Sequence, residues 1–521
     1  MAADSADDDF RSILWSRRAD AGRTLEDTAE AGRFRDLNLD QVVAAIDKAW
    51  PDERLAPFFH VPATDTGTIA WRQAVLRDLQ QAALRRATTA FVEALRATHA
   101  HLAEIEKLYY PIEKQRARLG AANVYCTAVQ TLTAELARSH PDSAGLQHLH
   151  AWLTGYTASA TFTKLSTDGK RVAAALDGIR YDLLVRAGSV TVRPYADEAD
   201  ASVAVEATFA KFRPGGAVAR PPPQGRIGFH GLNHVEAQVL DKVAMLNPQP
   251  FAALQAFCGE HADFIDPLVA RFAREVCFYL AWLAYIAPLR QAGLPFCFPN
   301  PAPDADAIEA SGAFDVALAA KLVADRRAVV CNGFALHAGE RMLVVTGPNH
   351  GGKTTFARMF GQIHWLAALG LTIPAADAHL LLFDALFTHF ERAERIETLR
   401  GKLKDDLVRI RAILDHASPR SLIVMNEIFS STTLDDALLL GRRVLGRLSR
   451  LGALTVCVTF LTELADFDTR TASMVAEVDP QDPDIRTFRI TRRPADGLAY
   501  ALAVANKHRV TREWLLKRIA P

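Results

Sequence analysis

The stretch Thr346-Gly347-Pro348-Asn349-His350-Gly351-Gly352-Lys353-Thr354-Thr355 is the strongest indication of fold in this 521-residue chain. It matches the pattern G-x-x-x-x-G-K-[ST], in which a glycine-rich loop wraps around phosphate groups. The apolar run 342–345 before it predicts a buried strand, and the residues from Thr355 onward predict a helix. In this context the backbone N–H groups of the loop and the helix N-terminus face an anion. The stretch therefore predicts a site for a nucleoside triphosphate.

The side chains and backbone of this loop have separate expected roles. Lys353 is expected to reach the β- and γ-phosphates, and the Thr354 hydroxyl is expected to ligate Mg²⁺. The other predicted nucleotide-binding residues of the loop are Gly347, Pro348, Asn349, His350, Gly351, Gly352 and Thr355.

A second element of the same chemistry lies at residues 421–427. Four apolar residues there predict a strand, and Asn426 and Glu427 follow them. At such a strand end a carboxylate usually supports Mg²⁺, and the next acid orients or deprotonates the attacking water. Asn426 can ligate a metal ion but adds no negative charge. We therefore predict Thr354, Asn426 and Glu427 as metal ligands and Glu427 as the catalytic base. Thr459, after the apolar run 454–458, is expected near the γ-phosphate.

The bulk composition narrows the classes of partner. Sixty basic and sixty acidic residues balance, so no global field attracts nucleic acid or acidic membrane, and any DNA contact needs a local basic patch. Six scattered cysteines without a C-x-x-C pair predict reduced thiols in the cytoplasm. The most apolar stretch, 276–289, is too short to span a bilayer and predicts a buried helix.

The chain is predicted to be a multidomain α plus α/β protein. Residues 1–30 are acidic and are expected to be flexible. Residues 31–300 are predicted to be mainly helical, since Leu39, Val42, Val43 and Ile46, for example, recur on one helix face. A small β insertion is expected at about 180–212, with a hairpin of strands 181–185 and 189–192 and a third strand at 202–209. Residues 301–521 alternate strands and helices, as a P-loop α/β domain requires.

Several further motifs resemble the ATPase domain of the MutS family of DNA mismatch-repair proteins. Residues 346–355 match its form of the loop, T-G-P-N-x-G-G-K-[ST]-T, and Met425-Asn426-Glu427-Ile428 resembles its strand end M-D-E-I. Three further similarities are Ser430-Ser431-Thr432-Thr433 to its G-T-S-T loop, residues 497–505 to its S-Y-G-L-x-V-A helix, and Val330-Cys331-Asn332 to its P-N segment. The resemblance covers residues 310–521, and residues 54–80 resemble the start of the MutS helical core.

This resemblance implies an ABC-type ATPase domain that binds ATP and Mg²⁺, with Asn332 among the nucleotide-binding residues. It also implies a homodimer formed through the ATPase domains, and a helical core and lever region with a clamp-like β insertion that contacts DNA. Because the similarity starts at the core, we expect no N-terminal mismatch-recognition and connector domains. Phe91-Val92-Glu93 has the letters of a mismatch-reading motif but lies in a helical pattern.

Three positions depart from the family pattern. Asn426 replaces its Asp, and Phe460 replaces the His expected after its last ATPase strand. Both changes should weaken hydrolysis more than binding. Residues 398–402 stand where the family has S-G-R-S-T. Arg400 and Lys402 either offer positive charge to a partner's nucleotide or begin a solvated basic helix.

The sequence therefore predicts a MutS-like protein that couples ATP binding and slow hydrolysis to DNA binding in repair or recombination, without a mismatch reader. Such a protein would be a weak DNA-dependent ATPase. The predicted DNA contact is the basic region 164–226, which suits phosphate neutralisation more than base reading. One alternative is an ATP-dependent dimerisation switch or scaffold that acts on a protein partner. Another is a pseudo-ATPase that binds ATP and barely hydrolyses it.

Overall fold

The computed structural model describes residues 10–16, 31–196, 231–305, 307–391, 401–479, 485–495 and 510–519. The chain divides into two compact units. The first unit comprises residues 1–10, 82–141 and 147–273, and the second comprises 11–81, 142–146 and 274–521. Packing thus groups residues 11–81 with the C-terminal part of the chain. The predicted start of the ATPase domain at residue 301 remains a prediction.

Among the described residues up to 291, helices dominate and one hairpin interrupts them. They are α1 Ala31–Asp36, α2 Leu39–Ala49, α3 Ala56–His60, α4 Thr66–Gln80, α5 Ala82–Ile105, α6 Pro111–Ser139, α7 Ala144–Ala158, α8 Ala160–Asp177, α9 His234–Leu246, α10 Pro248–Glu260 and α11 Pro267–Gln291. The apolar positions predicted for one face of α2 are buried. The Phe91-Val92-Glu93 segment lies inside α5, where Phe91 and Val92 are buried. The prediction that this region is mainly helical is confirmed for its described residues.

The first unit contains the predicted hairpin. Strands β1 Tyr181–Arg186 and β2 Ser189–Pro194 pair antiparallel, and Gly188 takes a φ of 78° at the turn. Such a backbone conformation suits glycine because it has no Cβ. The predicted third strand at 202–209 lies outside the described residues.

The second unit contains the α/β fold. Its strands are β3 Asn300–Ala302, β4 Ile308–Ala313, β5 Asn332–Leu336, β6 Met342–Thr346, β7 Asp377–Leu381, β8 Leu386–His389, β9 Leu422–Asn426, β10 Leu454–Val458, β11 Thr471–Val478 and β12 Arg486–Arg492. Its remaining helices are α12 Val316–Ala324, α13 Lys353–Ala368, α14 Lys402–His416, α15 Leu434–Leu451 and α16 Arg512–Ile519. The combination of helical and mixed α/β architecture predicted from the sequence is confirmed.

Two sheets organise this unit. A six-stranded sheet has the order β12-β11-β6-β10-β9-β8, in which every neighbouring pair is parallel except β11 and β12. A four-stranded sheet has the order β3-β7-β4-β5. The central strands β6, β9 and β10 are buried along their whole length, as their continuous apolar runs require. The strand predicted before the glycine-rich loop and the helix predicted after it are both confirmed as β6 and α13.

Residues 11–16 correct the expectation of a flexible N-terminus. The side chains of Ile13, Leu14 and Trp15 are buried. The Glu275 carboxylate accepts hydrogen bonds from the Ser12 hydroxyl at 2.9 Å and from the Ile13 N–H at 2.8 Å. The prediction is wrong for this stretch because a short apolar cluster and a buried carboxylate anchor it, despite the acidic composition around it.

Helix α11 contains the apolar stretch 276–289. Among the described helices it alone is long and apolar enough to cross a membrane, and 72% of its most apolar window is buried inside the protein. A core helix of a water-soluble protein has the same properties. The prediction of a buried helix at this stretch is confirmed.

Candidate nucleotide-binding site

The glycine-rich loop connects β6 to α13 at the carboxyl edge of the six-stranded sheet. Strands β9 and β10 run parallel to β6, so Asn426 and Thr459 lie at the same edge as the loop. In open α/β sheets, ligands bind outside this edge. The topology therefore brings the two predicted motifs, which are 72 residues apart at Thr354 and Asn426, to one place.

The loop is folded in a way that excludes larger side chains. Gly347 has a φ of 120° and Gly352 a φ of 90°. A Cβ on Gly347 would lie 3.0 Å from both the Cβ and the carbonyl oxygen of Ala476 in β11. His350 also has a positive φ, 60°, which costs a non-glycine residue conformational energy. This close-packed backbone leads directly into α13, which begins at Lys353.

The Lys353 side chain folds back onto the glycine-rich loop. Its ammonium donates hydrogen bonds to the carbonyl oxygens of Gly347 at 2.9 Å and Pro348 at 2.8 Å. The residue is 4% exposed. Burial lowers the pKa of Lys353, and the negative charge of Glu427 opposes that shift. A buried ammonium with two neutral acceptors is a strong electrostatic partner for an anion placed beside it.

The predicted metal ligands also meet. The Thr354 hydroxyl donates a hydrogen bond of 2.9 Å to Oδ1 of Asn426, which is 8% exposed at the end of β9. Glu427 follows with a φ of 54°, held by a 2.9 Å hydrogen bond from its N–H to the Val458 carbonyl. The buried side chains of Ile428 and Phe429 anchor the turn that directs Glu427 into the cavity.

These groups open onto a cavity of about 730 Å³. Pockets of this size hold drug-sized and cofactor-sized molecules. The loop, the start of α13 and Glu427 supply polar groups to its lining. Leu318, Leu322, Val329, Val330 and Phe488 supply apolar side chains. A cavity lined by both kinds of group fits the phosphates and the base of a nucleotide.

The oxygen atoms of the Thr354, Asn426 and Glu427 side chains fit Mg²⁺. A hydroxyl, an amide carbonyl and a carboxylate are the hard donors that this ion prefers, and it commonly completes its shell with water and substrate phosphates. The donor set carries one negative charge, on Glu427, because Asn426 is neutral. The residues therefore suit a weakly held Mg²⁺ ion.

Comparisons with known proteins agree with this geometry. The sequence pattern of the family MutS domain V matches residues 343–516. A DNA mismatch repair protein MutS of Granulibacter bethesdensis is 37% identical over 135 residues, which cover 26% of this chain and 15% of that protein. An Endonuclease MutS2 of Thermomicrobium roseum is 36% identical over 187 residues, or 35% of this chain and 23% of that protein.

Residues 343–516 are thus similar to domain V of the MutS family. A third relative, the DNA mismatch repair protein MutS of Psychrobacter cryohalolentis, is 34% identical over 125 residues, 24% of this chain and 12% of its own length. In each of these three comparisons the chain spans less than a quarter of the relative.

Asn332, implied by the MutS resemblance to bind nucleotide, has a clear structural role. Its side-chain amide donates a 3.1 Å hydrogen bond to the Phe488 carbonyl and accepts a 2.7 Å bond from the Ile490 N–H. Asn332 also lines the cavity. It therefore ties the first strand of the family motif, β5, to β12. Its direct contact with a nucleotide remains a prediction.

Phe488 is a site residue that sequence reasoning missed. It lines the cavity, is 47% exposed, and has a φ of 58° on the antiparallel edge strand β12. No local motif marks it, because only the pairing of distant strands brings it opposite the glycine-rich loop. A Cβ atom added to Gly352 of that loop would lie 3.7 Å from the Phe488 ring.

The remaining predicted positions either are not among the residues that line the cavity or lie outside the described residues. The Thr459 hydroxyl accepts a 3.0 Å hydrogen bond from the Leu461 N–H and so shapes the turn after β10. Phe460 is half exposed and does not line the cavity. Lys402 starts α14 and forms an ion pair with Glu391. Arg400 and residues 497–505 lie outside the described residues.

Proposed function

We propose that the second unit binds ATP together with Mg²⁺ and hydrolyses it slowly. The observation that carries this proposal is the convergence of Lys353, Thr354 and Glu427 on one cavity, with Asn426 hydrogen-bonded to the Thr354 hydroxyl. The match of residues 343–516 to MutS domain V supports nucleotide binding by this domain.

Binding of the nucleotide is explained by the residues of the loop and of the cavity lining. The Lys353 ammonium exchanges its two carbonyl partners for phosphate oxygens, because hydrogen bonds between charged groups are about twice as strong as neutral ones. The apolar side chains that line the cavity accept the base, and the Phe488 ring is available for stacking on it. The loop N–H groups and the N-terminus of α13 hold the remaining phosphate charge.

Hydrolysis depends on the pair at the end of β9. Glu427 orients and deprotonates the attacking water. Thr354 and Asn426 would hold Mg²⁺, which neutralises charge on the phosphate oxygens. Since Asn426 supplies no negative charge, the metal is held weakly and the rate of hydrolysis is low.

Binding of ATP to the full chain tests this proposal by isothermal titration calorimetry with Mg²⁺ present. The Lys353→Ala variant is expected to bind at least tenfold more weakly, since it loses a charged phosphate contact. Lys242→Ala removes an exposed lysine of α9 and is the charge-matched control. Equal affinity of all three proteins would overturn the assignment of the site.

We further propose that ATP binding is coupled to DNA binding, in repair or recombination, by a homodimer formed through the ATPase domains. The names of the relatives, a mismatch repair protein and an endonuclease, support a role in DNA metabolism. The test is DNA binding to duplex, branched and single-stranded probes, with and without ATP. Binding by phosphate neutralisation must weaken steeply with salt. Salt-independent binding, or none to any probe, contradicts this part of the proposal.

A dimerisation switch that acts on a protein partner is the second candidate. One observation favours it: Lys164 and Arg171, two of the predicted DNA contacts, form ion pairs with carboxylates of their own unit. The variant Arg180→Ala/Arg186→Ala/Arg193→Ala separates the two candidates. DNA binding by the first candidate should fall about tenfold or more in this variant, because each lost phosphate contact removes counterion release. Dimerisation driven by ATP should persist in the second.

A further inference from the structure

Helices α8 and α10 of the first unit bring three metal-ligating side chains together. Asp168 lies in α8, Glu260 ends α10, and His261 follows it. One potential ligand atom from each residue lies within 4.8 Å of the other two. The cluster is in the first unit, whereas the nucleotide site described above is in the second.

His261 is directed into this cluster and its ring nitrogen is unsatisfied. The side chain is 10% exposed, and Nε2 is buried without a hydrogen-bond partner among the described residues. Nε2 lies 3.9 Å from Oδ2 of Asp168, which is too long for a hydrogen bond. The Phe257 ring packs against the imidazole, with ring centroids 4.8 Å apart. A buried ring nitrogen without a partner costs free energy that a ligand would recover.

The carboxylates of the cluster already bind a cation from the chain. The Lys164 ammonium donates a 2.9 Å hydrogen bond to Asp168 and a second bond to Glu260. Arg171 donates a further 2.9 Å hydrogen bond to Asp168. The Lys164 side chain is 54% exposed, so its flexible stem can release the ammonium into solvent.

We propose that Asp168, Glu260 and His261 form a binding site for a divalent cation of the Zn²⁺ class, with the Lys164 ammonium as its internal competitor. One imidazole nitrogen and two carboxylate oxygens are a common ligand set for Zn²⁺, whereas Mg²⁺ and Ca²⁺ prefer oxygen ligands alone. Ligand bonds of about 2 Å require the three side chains to close around the ion. Glu260, with a side chain 56% exposed, has the freedom to do so. The bound ion would link α8 to α10.

Titration of the nucleotide-free full chain with Zn²⁺ by calorimetry, and with Co²⁺ by visible absorption, tests the site. The wild type is expected to bind one ion that His261→Gln binds at least tenfold more weakly. Lys164→Met should bind this ion at least tenfold more tightly, because the competing ammonium is gone. Two control variants should match the wild type: Lys170→Met on the same helix, and His150→Gln on α7.

The variants also show how the proposal fails. If the wild type and Lys164→Met bind no more Zn²⁺ than His261→Gln does, the site is overturned. Thermal melting without metal shows whether His261→Gln is folded. If it is not, Lys164→Met alone decides: tighter binding than in Lys170→Met supports the site, and equal binding overturns it.

Discussion

Asn426 sets the charge beside the hydroxyl that is expected to hold the metal. Its Oδ1 atom accepts the Thr354 hydrogen bond, so an aspartate at this position keeps the acceptor and adds a negative charge. We predict that Asn426→Asp raises the rate of ATP hydrolysis about tenfold and lowers the Mg²⁺ concentration needed for half-maximal rate, because charged metal ligands bind more strongly. Single-turnover hydrolysis over a series of Mg²⁺ concentrations measures both effects.

Glu427→Gln is the matched variant at the neighbouring position. It should retain ATP binding and lose hydrolysis by a factor of about 10² or more, since positioned general bases contribute that much. If Asn426→Asp does not raise the rate and Glu427→Gln does not lower it, the roles assigned to this pair are wrong.

Gly347 offers a test of the loop geometry. Gly347 and Gly339 both have positive φ values, 120° and 88°, but only Gly347 has atoms around the position of a Cβ. We predict that Gly347→Ala destabilises the protein by about 1–3 kcal/mol and weakens ATP binding, because the methyl group displaces β11. Gly339→Ala has only the conformational penalty. Urea unfolding and ATP titration compare the two variants; equal losses in both would show that Ala476 does not confine the loop.

At the scale of elements, Asn332 connects strands β5 and β12. Its side chain satisfies the Ile490 N–H, and Ile490 is 3% exposed. We predict that Asn332→Ala lowers the free energy of unfolding by about 1–3 kcal/mol, the cost of an unsatisfied buried donor. ATP affinity should also fall several-fold because β12 carries Phe488. Phe488→Ala is the comparison: it should weaken ATP binding with little loss of stability. A loss of stability in Asn332→Ala without loss of ATP affinity would show that β12 does not position the base.

The helix that follows the glycine-rich loop contains a buried titratable group. Nδ1 of His364 is 2.8 Å from the Phe360 carbonyl, and burial lowers the pKa of His364 to about 4, whereas the ordinary value is 6.5. The unfolded chain therefore takes up a proton at a higher pH than the folded chain. The stability contribution is complete above pH 6.5 and is lost as the pH falls toward 4.

We predict that the wild type loses about 2 kcal/mol more stability than His364→Gln between pH 7 and about pH 5. Urea unfolding of both proteins at the two pH values gives this difference directly. Other histidines titrate equally in both proteins and cancel. Parallel losses in the wild type and the variant would show that His364 does not resist protonation in the folded protein.

The elements that the sequence predicts well are those with local signals. Strand β6 and helix α13 follow from an apolar run beside a glycine-rich loop, and the β1–β2 hairpin follows from alternation around Gly188. Phe488 and the bridging role of Asn332 were not predictable in the same way. They depend on the contact of strands more than 150 residues apart in the chain.

At the scale of the whole molecule, segments that are far apart in the sequence pack into the same compact unit. The buried stretch 11–16 and helices α1–α4 belong to the same compact unit as the six-stranded sheet. The Arg358 guanidinium of α13, for example, donates a 3.0 Å hydrogen bond to the Asp36 carbonyl, and the amide of Gln362 donates one of 2.8 Å to the Leu37 carbonyl. Hydrogen bonds between segments more than 300 residues apart leave no local sequence pattern. The apolar spacing in residues 31–81 therefore indicated helices but not the segments against which they pack.

The division into two units leads to a prediction about ligand-linked stability. A ligand that binds only the folded state of one unit stabilises that unit, by about 2.7 kcal/mol at a concentration 100 times its Kd. ATP with Mg²⁺ should therefore slow hydrogen exchange in β6, β9 and α13 of the second unit and leave α5 and α6 of the first unchanged. Zn²⁺ should slow hydrogen exchange in α8 and α10 of the first unit and leave the second unit unchanged.

Hydrogen-exchange mass spectrometry of the full chain resolves these peptides. Lys353→Ala should abolish the effect of ATP while keeping that of Zn²⁺, and His261→Gln should do the reverse, so each variant is the control for the other. Protection by ATP that spreads equally over α5 and α6 would show that the units respond as one. That outcome would contradict independent ligand linkage, because two units stabilised by separate sites must report separately.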